Sequence, residues 1–352
     1  MKFLFTADVH LKMWNDKVYN DNGLPLRLVE ILSTIEQMCI YARENDIKRI
    51  VVGGDLNDTK GIASVRAFVL FKDLVEKYSD IKFCLLHGNH DAVSSQYNNT
   101  ESAVQLITGP DNVTAITETS VIDNILFVPY SKSILEELEK HKKSNCNILV
   151  SHFGLNEGTL SSGISLKSTI SASNLSKFDL VLLGHYHKPQ KIEYGDTNIY
   201  YVGSPIPIRR DEYDEQKRFL VVDQEDCTVE EIDTTGYRRY FQFVLDEDAD
   251  VNEIKEQIEK YSKEGHYVVV KNTLSNIPKQ LNDVVDSVQY VDLYEPDVNI
   301  RGIDVTMSIE KQLEKYIDIE RIPDDEKDEY FKVGMECITI STLDKEEVDE
   351  VT

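Results

Sequence analysis

The sequence predicts an α/β fold followed by a smaller α+β domain. The first half alternates short apolar runs with helical patterns, which is typical of helices packed on sheet layers. From Asn198 onward, short strand-like runs predominate instead. The composition agrees, because 352 residues, 41% of them hydrophobic and 29% charged, can bury a large core and still form a second domain.

The elements of the first half follow from the spacing of apolar residues. Five apolar runs are predicted to be buried strands: residues 3–6, 50–52, 83–86, 148–150 and 180–183. A long helix is expected from Leu26 to Glu44, where apolar side chains recur at three and four residues. A second helix is expected to begin near Ser64, a good N-cap residue type, and to continue to Tyr78.

The second half is predicted to contain further strands and a compact α+β unit. Strands are expected at 199–202, 219–223 and 229–232, with a domain boundary near 234–236. The unit beyond it has strand patterns at 241–245, 267–271 and 288–293 and a helical pattern at 251–264. Helical spacing recurs in the tail at Ile309, Leu313, Tyr316 and Ile317. We therefore predict three regions: 1–235, 236–302 and a helical, acidic segment at 303–352.

Composition also limits the function classes. No apolar run approaches the roughly 20 residues that span a bilayer, and the five cysteines are scattered without a C-x-x-C pair. The N-terminus enters a strand that bears Asp8, so it is not expected to be a cleavable signal. These features predict a cytoplasmic protein, in the host cytoplasm if a phage encodes it.

The net charge of −25 disfavours tight metal-free binding to DNA, which usually requires a basic surface. Much of this charge is local, because the stretch from Asp318 to Glu350 carries thirteen acidic and four basic residues. Divalent ions would also invert the field at their own site. The charge therefore does not exclude a nuclease.

Residues of the types that commonly bind metals follow all five predicted strands of the first half. The blocks are Asp8-Val9-His10, Gly54-Asp55-Leu56-Asn57-Asp58, Gly88-Asn89-His90-Asp91, Ser151-His152 and Gly184-His185-Tyr186-His187. Residues at the ends of adjacent strands converge in space, and five of the eight histidines belong to this series. The series therefore predicts a metal centre, although a lone D-x-H or G-N-H-D would indicate little. His87 is expected to be a strand residue, and His141 and His266 to lie at surface or half-buried positions.

The spacing supports phosphodiester hydrolysis by two divalent ions about 4 Å apart, which supply a nucleophile and positive charge. Asp55 is the candidate bridge. The remaining ligands divide into two sets, Asp8, His10 and His187 for one ion and Asn89, His152 and His185 for the other. Mixed nitrogen and oxygen donors favour Mn²⁺, Fe²⁺ or Zn²⁺ over Ca²⁺ and Mg²⁺.

Three further residues have predicted roles beside the ligands. His90 is expected to lie over the phosphate, where it would stabilise the transition state or protonate the leaving oxygen. Asp91 is expected to orient the ring of His90. Asp58 could contact metal-bound water or substrate, or it could cap a helix.

Together the five blocks resemble the signature of the calcineurin-like metallophosphoesterases over about residues 1–235. The resemblance implies a four-layer α/β/β/α sandwich, a small C-terminal α+β cap domain and the ligand roles given above. Within that superfamily the chain is most similar to SbcD, the nuclease subunit of bacterial SbcCD double-strand-break repair complexes, and to bacteriophage recombination endonucleases. The similarity lies in residues 54–59 with the helix from Ser64, in residues 201–207, and in the position of the cap.

This resemblance implies manganese-dependent exonuclease and endonuclease activity on DNA, a homodimer and an SbcC-type coiled-coil ATPase partner. The dimer helix would be residues 64–78 with part of 101–107, and the helix near 308–317 would dock on the ATPase. Each could instead pack on its own domain. Basic residues that could hold a DNA backbone, or form surface salt bridges, are Lys188, Lys191, Arg209, Arg210, Lys217, Arg218, Arg238 and Arg239.

Two other functions fit the same residues. A nucleotide or small-molecule phosphodiesterase would use the same metal centre and would suit the acidic composition. A non-catalytic scaffold would keep the fold alone, but the intact set of donor residues argues against it.

Overall fold

The computed structural model describes residues 1–16, 18–94, 101–107, 109–165, 167–213, 215–274, 278, 280–281, 284, 289–292, 309–319, 327 and 329–335. Its contacts divide the chain into two compact units. One comprises Met1–Gln242 with Glu259–Val269, and the other comprises Phe243–Ile258 with Val270–Thr352. The domain boundaries inferred from the sequence stay a prediction.

Two six-stranded sheets form the centre of the first unit. Their strands, in chain order, are β1 Lys2–Thr6, β2 Arg49–Val52, β3 Lys82–Leu86, β4 Val113–Ile116, β5 Ser120–Ile122, β6 Ile125–Val128, β7 Ile148–His152, β8 Leu180–Gly184, β9 Gln190–Tyr194, β10 Thr197–Tyr201, β11 Arg218–Asp223 and β12 Thr228–Asp233. The first sheet has the order β12-β11-β1-β2-β3-β4 and the second β5-β6-β7-β8-β10-β9. The central strands β1, β2, β3 and β4 are parallel, and so are β6, β7, β8 and β10.

Three helices cover these sheets: α1 Leu26–Glu44, α2 Val65–Lys77 and α3 Ile134–Lys140. The predicted bounds of α1 are confirmed, because its apolar residues face the core at helical spacing. The predicted start of α2 is also confirmed. Ser64 Oγ accepts a hydrogen bond from the backbone N–H of Ala67 at 3.4 Å, as an N-cap residue does.

Three apolar clusters fill the spaces between the layers. One packs α1 and α2 against the first sheet, the second lies between the sheets, and the third packs α3 against the outer face of the second sheet. In β1, Leu4 belongs to the first cluster and Phe3 and Phe5 to the second, so this strand is buried on both faces. The predicted four-layer sandwich is thereby confirmed.

The α+β elements predicted downstream of the sandwich are also present. They are β13 Tyr240–Leu245, helix α4 Val251–Lys263, β14 Tyr267–Asn272 and β15 Gln289–Asp292, and the three strands form one sheet in that order. Helix α5 spans Ile309–Ile319. The acidic stretch beyond residue 335 lies outside the described residues. Among the described helices, none combines the length and the apolar character that crossing a bilayer requires.

Candidate metal centre

The carboxyl ends of β1, β2, β3, β7 and β8 carry the donor residues predicted from the sequence, and the structure brings all seven together. Donor atoms of Asp8, His10 and His187 lie within 4.8 Å of one another, and so do those of Asp8, Asp55 and His152. Hydrogen bonds join the loops that follow β1 and β2 at this edge. The backbone N–H groups of Asp8 and His10 donate to the carbonyl oxygens of Gly54 and Asp55, both at 3.0 Å. Whether the seven residues act as ligands stays a prediction.

His10 and His187 form one side of the cluster. Their Nε2 atoms are 3.0 Å apart, which directs both ring nitrogens at the same point. The nearest carboxylate oxygen of Asp55 is 4.0 Å from His10 Nε2. This grouping matches the first predicted ligand set.

The other side contains the second predicted set. His152 Nε2 lies 3.2 Å from Asp55 Oδ2 and 3.0 Å from Asn89 Oδ1. The side-chain oxygen of Asn89 is also 3.0 Å from Nδ1 of His185. The Asp8 carboxylate accepts the backbone N–H of His185, at 3.0 and 3.1 Å, and so ties the two sides together.

The charge balance of the cluster suits cations. Five of the seven donor residues are at most 2% exposed, namely Asp8, His10, Asp55, Asn89 and His152. Burial would lower the pKa of His152, but the neighbouring Asp55 carboxylate raises it to about 9. Burial would likewise raise the pKa of Asp55, yet His152 and His90 hold it well below its usual range. A buried site that favours positive charge and offers carboxylate, amide and imidazole donors fits divalent ions with mixed N and O ligation.

Backbone strain is concentrated at the donors. Asp8, His10, Asp55 and His185 have φ angles of 55°, 53°, 54° and 96°, in the left-handed region that non-glycine residues seldom adopt. Such conformations persist where surrounding contacts hold them, and they cluster at functional sites. Here the interlocking hydrogen bonds between the β1 and β2 loops hold Asp8 and His10.

Two glycines of the motifs are required by close approach. A Cβ atom at Gly54, whose φ is +102°, would lie 2.2 Å from Nδ1 of His152. A Cβ atom at Gly88 would lie 2.2 Å from Oδ1 of Asp55. Any side chain at either position would displace a donor residue.

Two of the histidines are oriented by hydrogen-bond acceptors on their Nδ1 side, and a third has an acceptor nearby. His152 Nδ1 faces the carbonyl of Gly53 at 2.9 Å, and His187 Nδ1 faces the carboxylate of Glu212 at 2.9 Å. His10 Nδ1 is 3.5 Å from Asp58, an ion-pair distance that is too long for a well-formed hydrogen bond. Each ring therefore presents Nε2 to the centre. Glu212 was not predicted from the sequence, because no motif marks it.

His90 lies at the edge of the cluster, half-buried, with its ring edge-to-face against that of His10 at 5.0 Å. Its backbone N–H donates to Asp55 at 2.8 Å, and its Nδ1 faces the main-chain oxygen of Asp58 at 2.5 Å. Because a carbonyl only accepts, Nδ1 carries a proton and Nε2 is the nitrogen left to act. Burial lowers the pKa of His90.

The predicted role of Asp91 as the residue that orients His90 is corrected by the structure. Its buried carboxylate accepts the backbone N–H groups of Asn57 and Gly88, both at 2.8 Å. Burial, followed by the charge of Asp55, raises the pKa of Asp91 to about 7. Asp91 therefore joins the loops that follow β2 and β3. The main-chain carbonyl of Asp58, and not Asp91, orients the ring of His90.

Asp58 lies beside the donor cluster, and it does not cap a helix, since Ser64 caps α2. Its carboxylate forms an ion pair with Lys12 Nζ at 2.5 Å. Lys12 also lies 3.9 Å from the ring centre of Trp14. Lys12 was not predicted from the sequence, although its position two residues after His10 was a usable signal.

The structure separates the predicted DNA-contacting basic residues into two groups. Lys217, Arg218 and Arg238 are buried and each forms an ion pair with an acidic residue, so we do not propose them as contacts to a DNA backbone. Lys191 pairs with Glu193 at the surface. Lys188, Arg209 and Arg239 are half-buried and Arg210 is exposed, and their contact with substrate stays a prediction.

The three remaining histidines lie outside the donor cluster. His87 follows β3, is buried and contacts Ser102 Oγ at 2.7 Å. His141 ends α3, and it and His266 are half-buried, as expected.

Comparison with known proteins gives one family match. Residues 1–189 match the family model of the calcineurin-like phosphoesterases. Similar solved structures include an archaeal phosphodiesterase (13% identity, 66% of this chain and 99% of that one, TM-score 0.36). They also include a dimetal phosphatase from Danio rerio (14% identity, 66% and 99%, TM-score 0.41). No curated protein sequence matches the chain. The stretch that matches the family model contains all seven donor residues.

Proposed function

The chain belongs to the calcineurin-like phosphoesterases, metal-dependent hydrolases of phosphoesters with a dinuclear site, and we propose that within this family it is a DNA nuclease. In this proposal it is the nuclease subunit of an SbcCD-like repair or recombination complex, with exonuclease and endonuclease activity. The observation that carries the hydrolytic assignment is the convergence of seven donor residues around Asp55. The substrate assignment is supported by the sequence resemblance.

The segment that carries much of that resemblance, residues 201–207, packs directly behind the proposed metal centre. A Cβ atom at Gly203 would lie 2.6 Å from the carbonyl oxygen of His187, and Ser204 Oγ donates to the carboxylate of Glu212 at 3.0 Å. The segment therefore packs against the loop that carries His187. This placement gives a structural reason for the motif and supports the proposal without identifying the substrate.

The residues would act as follows. Asp8, His10 and His187 would hold one ion and Asn89, His152 and His185 the other, with Asp55 shared between them. Two divalent ions, proposed to be manganese, supply a nucleophile at neutral pH and positive charge for the phosphoryl oxygens. His90 presents Nε2 at the edge of the cluster, where it can donate to a phosphate or leaving oxygen. Lys12 and Asp58 lie beside it, where a cation can contact the substrate backbone.

Substrate preference tests the proposal. With Mn²⁺ present, we expect hydrolysis of linear duplex DNA as well as of simple aryl phosphodiesters, and none after chelation of the metal. A matched assay with cyclic nucleotides measures the competing activity, that of a nucleotide phosphodiesterase. The net charge of −25 favours this alternative, because it disfavours binding to DNA. Hydrolysis of cyclic nucleotides and aryl diesters with no cleavage of DNA, even with an ATPase partner added, would reject the nuclease proposal in favour of a nucleotide phosphodiesterase.

The proposed homodimer would form on α2. The inward residues of this helix, Phe68, Phe71 and Val75, are buried in the core of their own subunit. Val65 and Val69, one turn apart on the opposite side, are 79% and 43% exposed. Leu106 is a further exposed apolar residue, in the turn at Ala103–Ile107 that packs against α2. These exposed apolar residues, in the N-terminal part of α2 and the neighbouring turn, support a two-fold interface.

Glutamate at both Val65 and Val69 is expected to convert a dimer into a monomer, because it places charge in an apolar interface. Folding should be retained, since both side chains are exposed, and at Val65 an acid also suits the first turn of the helix. Sedimentation velocity gives the measurement, and Val121→Glu, at a residue 50% exposed, is the matched control. A wild-type chain that sediments as a monomer would reject the interface.

The proposed SbcC-type ATPase would bind α5. On this helix Tyr316 is 46% exposed, whereas Ile317 is buried at 4%. Only part of the apolar stripe seen in the sequence is therefore available to a partner.

A further inference from the structure

Glu212 is a buried carboxylate that contacts a proposed metal ligand. It ends the short 3₁₀ turn Arg210–Glu212 and is 1% exposed. One oxygen lies 2.9 Å from His187 Nδ1 and accepts the backbone N–H of Arg209 at 2.9 Å. The other accepts from Ser204 Oγ at 3.0 Å and from the backbone N–H of Ile208 at 3.1 Å. A carboxylate with this many donors is held in one orientation.

Lys217 completes the arrangement from the opposite side. Its ammonium group is fully buried and lies 2.7 Å from Glu212 and 2.6 Å from Glu215. It also donates to the main-chain oxygen of His187 at 2.8 Å. His187 is therefore held at both its ring and its backbone.

The contacts of Glu212 decide which nitrogen of His187 carries a proton. The ammonium group of Lys217 lies 2.7 Å from the Glu212 carboxylate. Since a carboxylate only accepts hydrogen bonds, its 2.9 Å contact with His187 places a proton on Nδ1 and leaves Nε2 directed at His10. Ligating histidines elsewhere are commonly fixed in this way by a carboxylate.

We propose that Glu212, supported by Lys217, is the positioning residue that sets the tautomer and direction of His187, and so selectively stabilises the ion held by Asp8, His10 and His187. The second set is independent of Glu212. His152 is held by the carbonyl of Gly53, and Asn89 contacts both His152 and His185. The inference rests on the proposed dinuclear hydrolase, and it does not depend on DNA being the substrate.

Manganese titration of the full-length protein, followed by calorimetry, tests this. Glu212→Gln preserves shape and removes the charge, so we expect one of two ions to bind about 10- to 100-fold more weakly while the other binds as in wild type. Glu215→Gln is the matched control, because Glu215 contacts the same Lys217 and makes no hydrogen bond or ion pair with His187. The proposal would be overturned if Glu212→Gln bound both ions with wild-type affinity or weakened both ions alike. It would also be overturned if Glu215→Gln weakened the binding of one ion as much as Glu212→Gln does.

A second measurement needs no variant that might fail to fold. Nitrogen-15 NMR of the histidine rings in metal-free wild-type protein reports which nitrogen is protonated. We expect the Nδ1–H tautomer for His187, and the Nε2–H tautomer would overturn the proposal. Both readouts are independent of DNA cleavage, so a failure of the nuclease assignment leaves them unchanged.

Discussion

Replacement of Asp55 by asparagine is expected to abolish binding of both metal ions and to reduce phosphodiester hydrolysis by about 10³-fold or more. The Asp55 carboxylate approaches both ligand sets, at 3.2 Å from His152 Nε2 and 4.0 Å from His10 Nε2. The loss of both ions would remove several kcal/mol of transition-state stabilisation, and each 1.36 kcal/mol corresponds to a factor of ten in rate.

Asparagine is chosen because it separates charge from shape. Its amide oxygen can still accept the backbone N–H of His90, which donates to Asp55 Oδ1 at 2.8 Å in the wild type. The turn that carries His90 should therefore stay in place. The variant does lose the negative charge that two cations would share, and it loses the partner that raises the pKa of His152.

Metal content after dialysis and the rate with an aryl phosphodiester measure the effect. A thermal readout supplements them, since manganese should raise the melting temperature of the wild type and leave that of Asp55→Asn unchanged. Asp58→Asn, in the same sequence block, is the matched control and should still bind two ions. If Asp55→Asn bound one ion with wild-type affinity, Asp55 would not be shared between the two sites.

Local pattern predicted much of the fold. The bounds of α1 and the start of α2 follow from apolar periodicity and an N-cap serine, which act within a few residues. Strand order did not follow in this way. β1 pairs antiparallel with β11, so that Leu4 lies opposite Val221, and parallel with β2, so that Leu4 also lies opposite Ile50. Such pairings join residues far apart in the chain, and no short-range pattern specifies them.

The donor cluster was predictable for a related reason. Its residues follow five buried strands directly, and the carboxyl ends of neighbouring parallel strands meet at one edge. The residues that support the cluster were not predictable. Lys217 and Arg238 were expected to face solvent, because lysine and arginine are seldom fully buried unless paired. Their partners, Glu212 and Glu30, come from other segments and are found only in the folded chain.

The contacts of Asp91 were also not predictable from the sequence, even though Asp91 is adjacent to His90 in the chain. Its position next to His90 predicts contact between the two side chains, yet successive side chains need not point the same way. The folded loop turns the carboxylate of Asp91 to the backbone N–H groups of Asn57 and Gly88. The carbonyl of Asp58, which no sequence motif can mark, orients the ring of His90 instead.

Replacement of His90 by alanine is expected to reduce hydrolysis by about 10²-fold or more while leaving the metal content near that of wild type. The reason lies in how His90 contacts the centre. Its backbone N–H, not its ring, donates to Asp55, so truncation of the side chain leaves that contact intact. The ring itself is held by the carbonyl of Asp58 and presents Nε2 at the edge of the cluster.

The leaving group distinguishes the two roles that His90 could have. A p-nitrophenyl group leaves without protonation, whereas the alkoxide of a dinucleotide needs a proton. If His90 is a general acid, His90→Ala should impair the dinucleotide reaction far more than the aryl reaction. If it only stabilises charge on the phosphoryl oxygens, both reactions should slow by the same factor. An anionic phosphate near Nε2 would favour the protonated ring and so offset the effect of burial, which lowers the pKa of His90.

Metal analysis must accompany these rates. Loss of an ion from His90→Ala, together with equal loss of activity on both substrates, would make the ring a ligand and reject both roles. His141→Ala, at the half-buried residue that follows α3, serves as the matched control and should hydrolyse both substrates at the wild-type rate. Normal metal content with unchanged rates in His90→Ala would show that the reaction proceeds without this histidine, even though its ring lies beside the donor cluster.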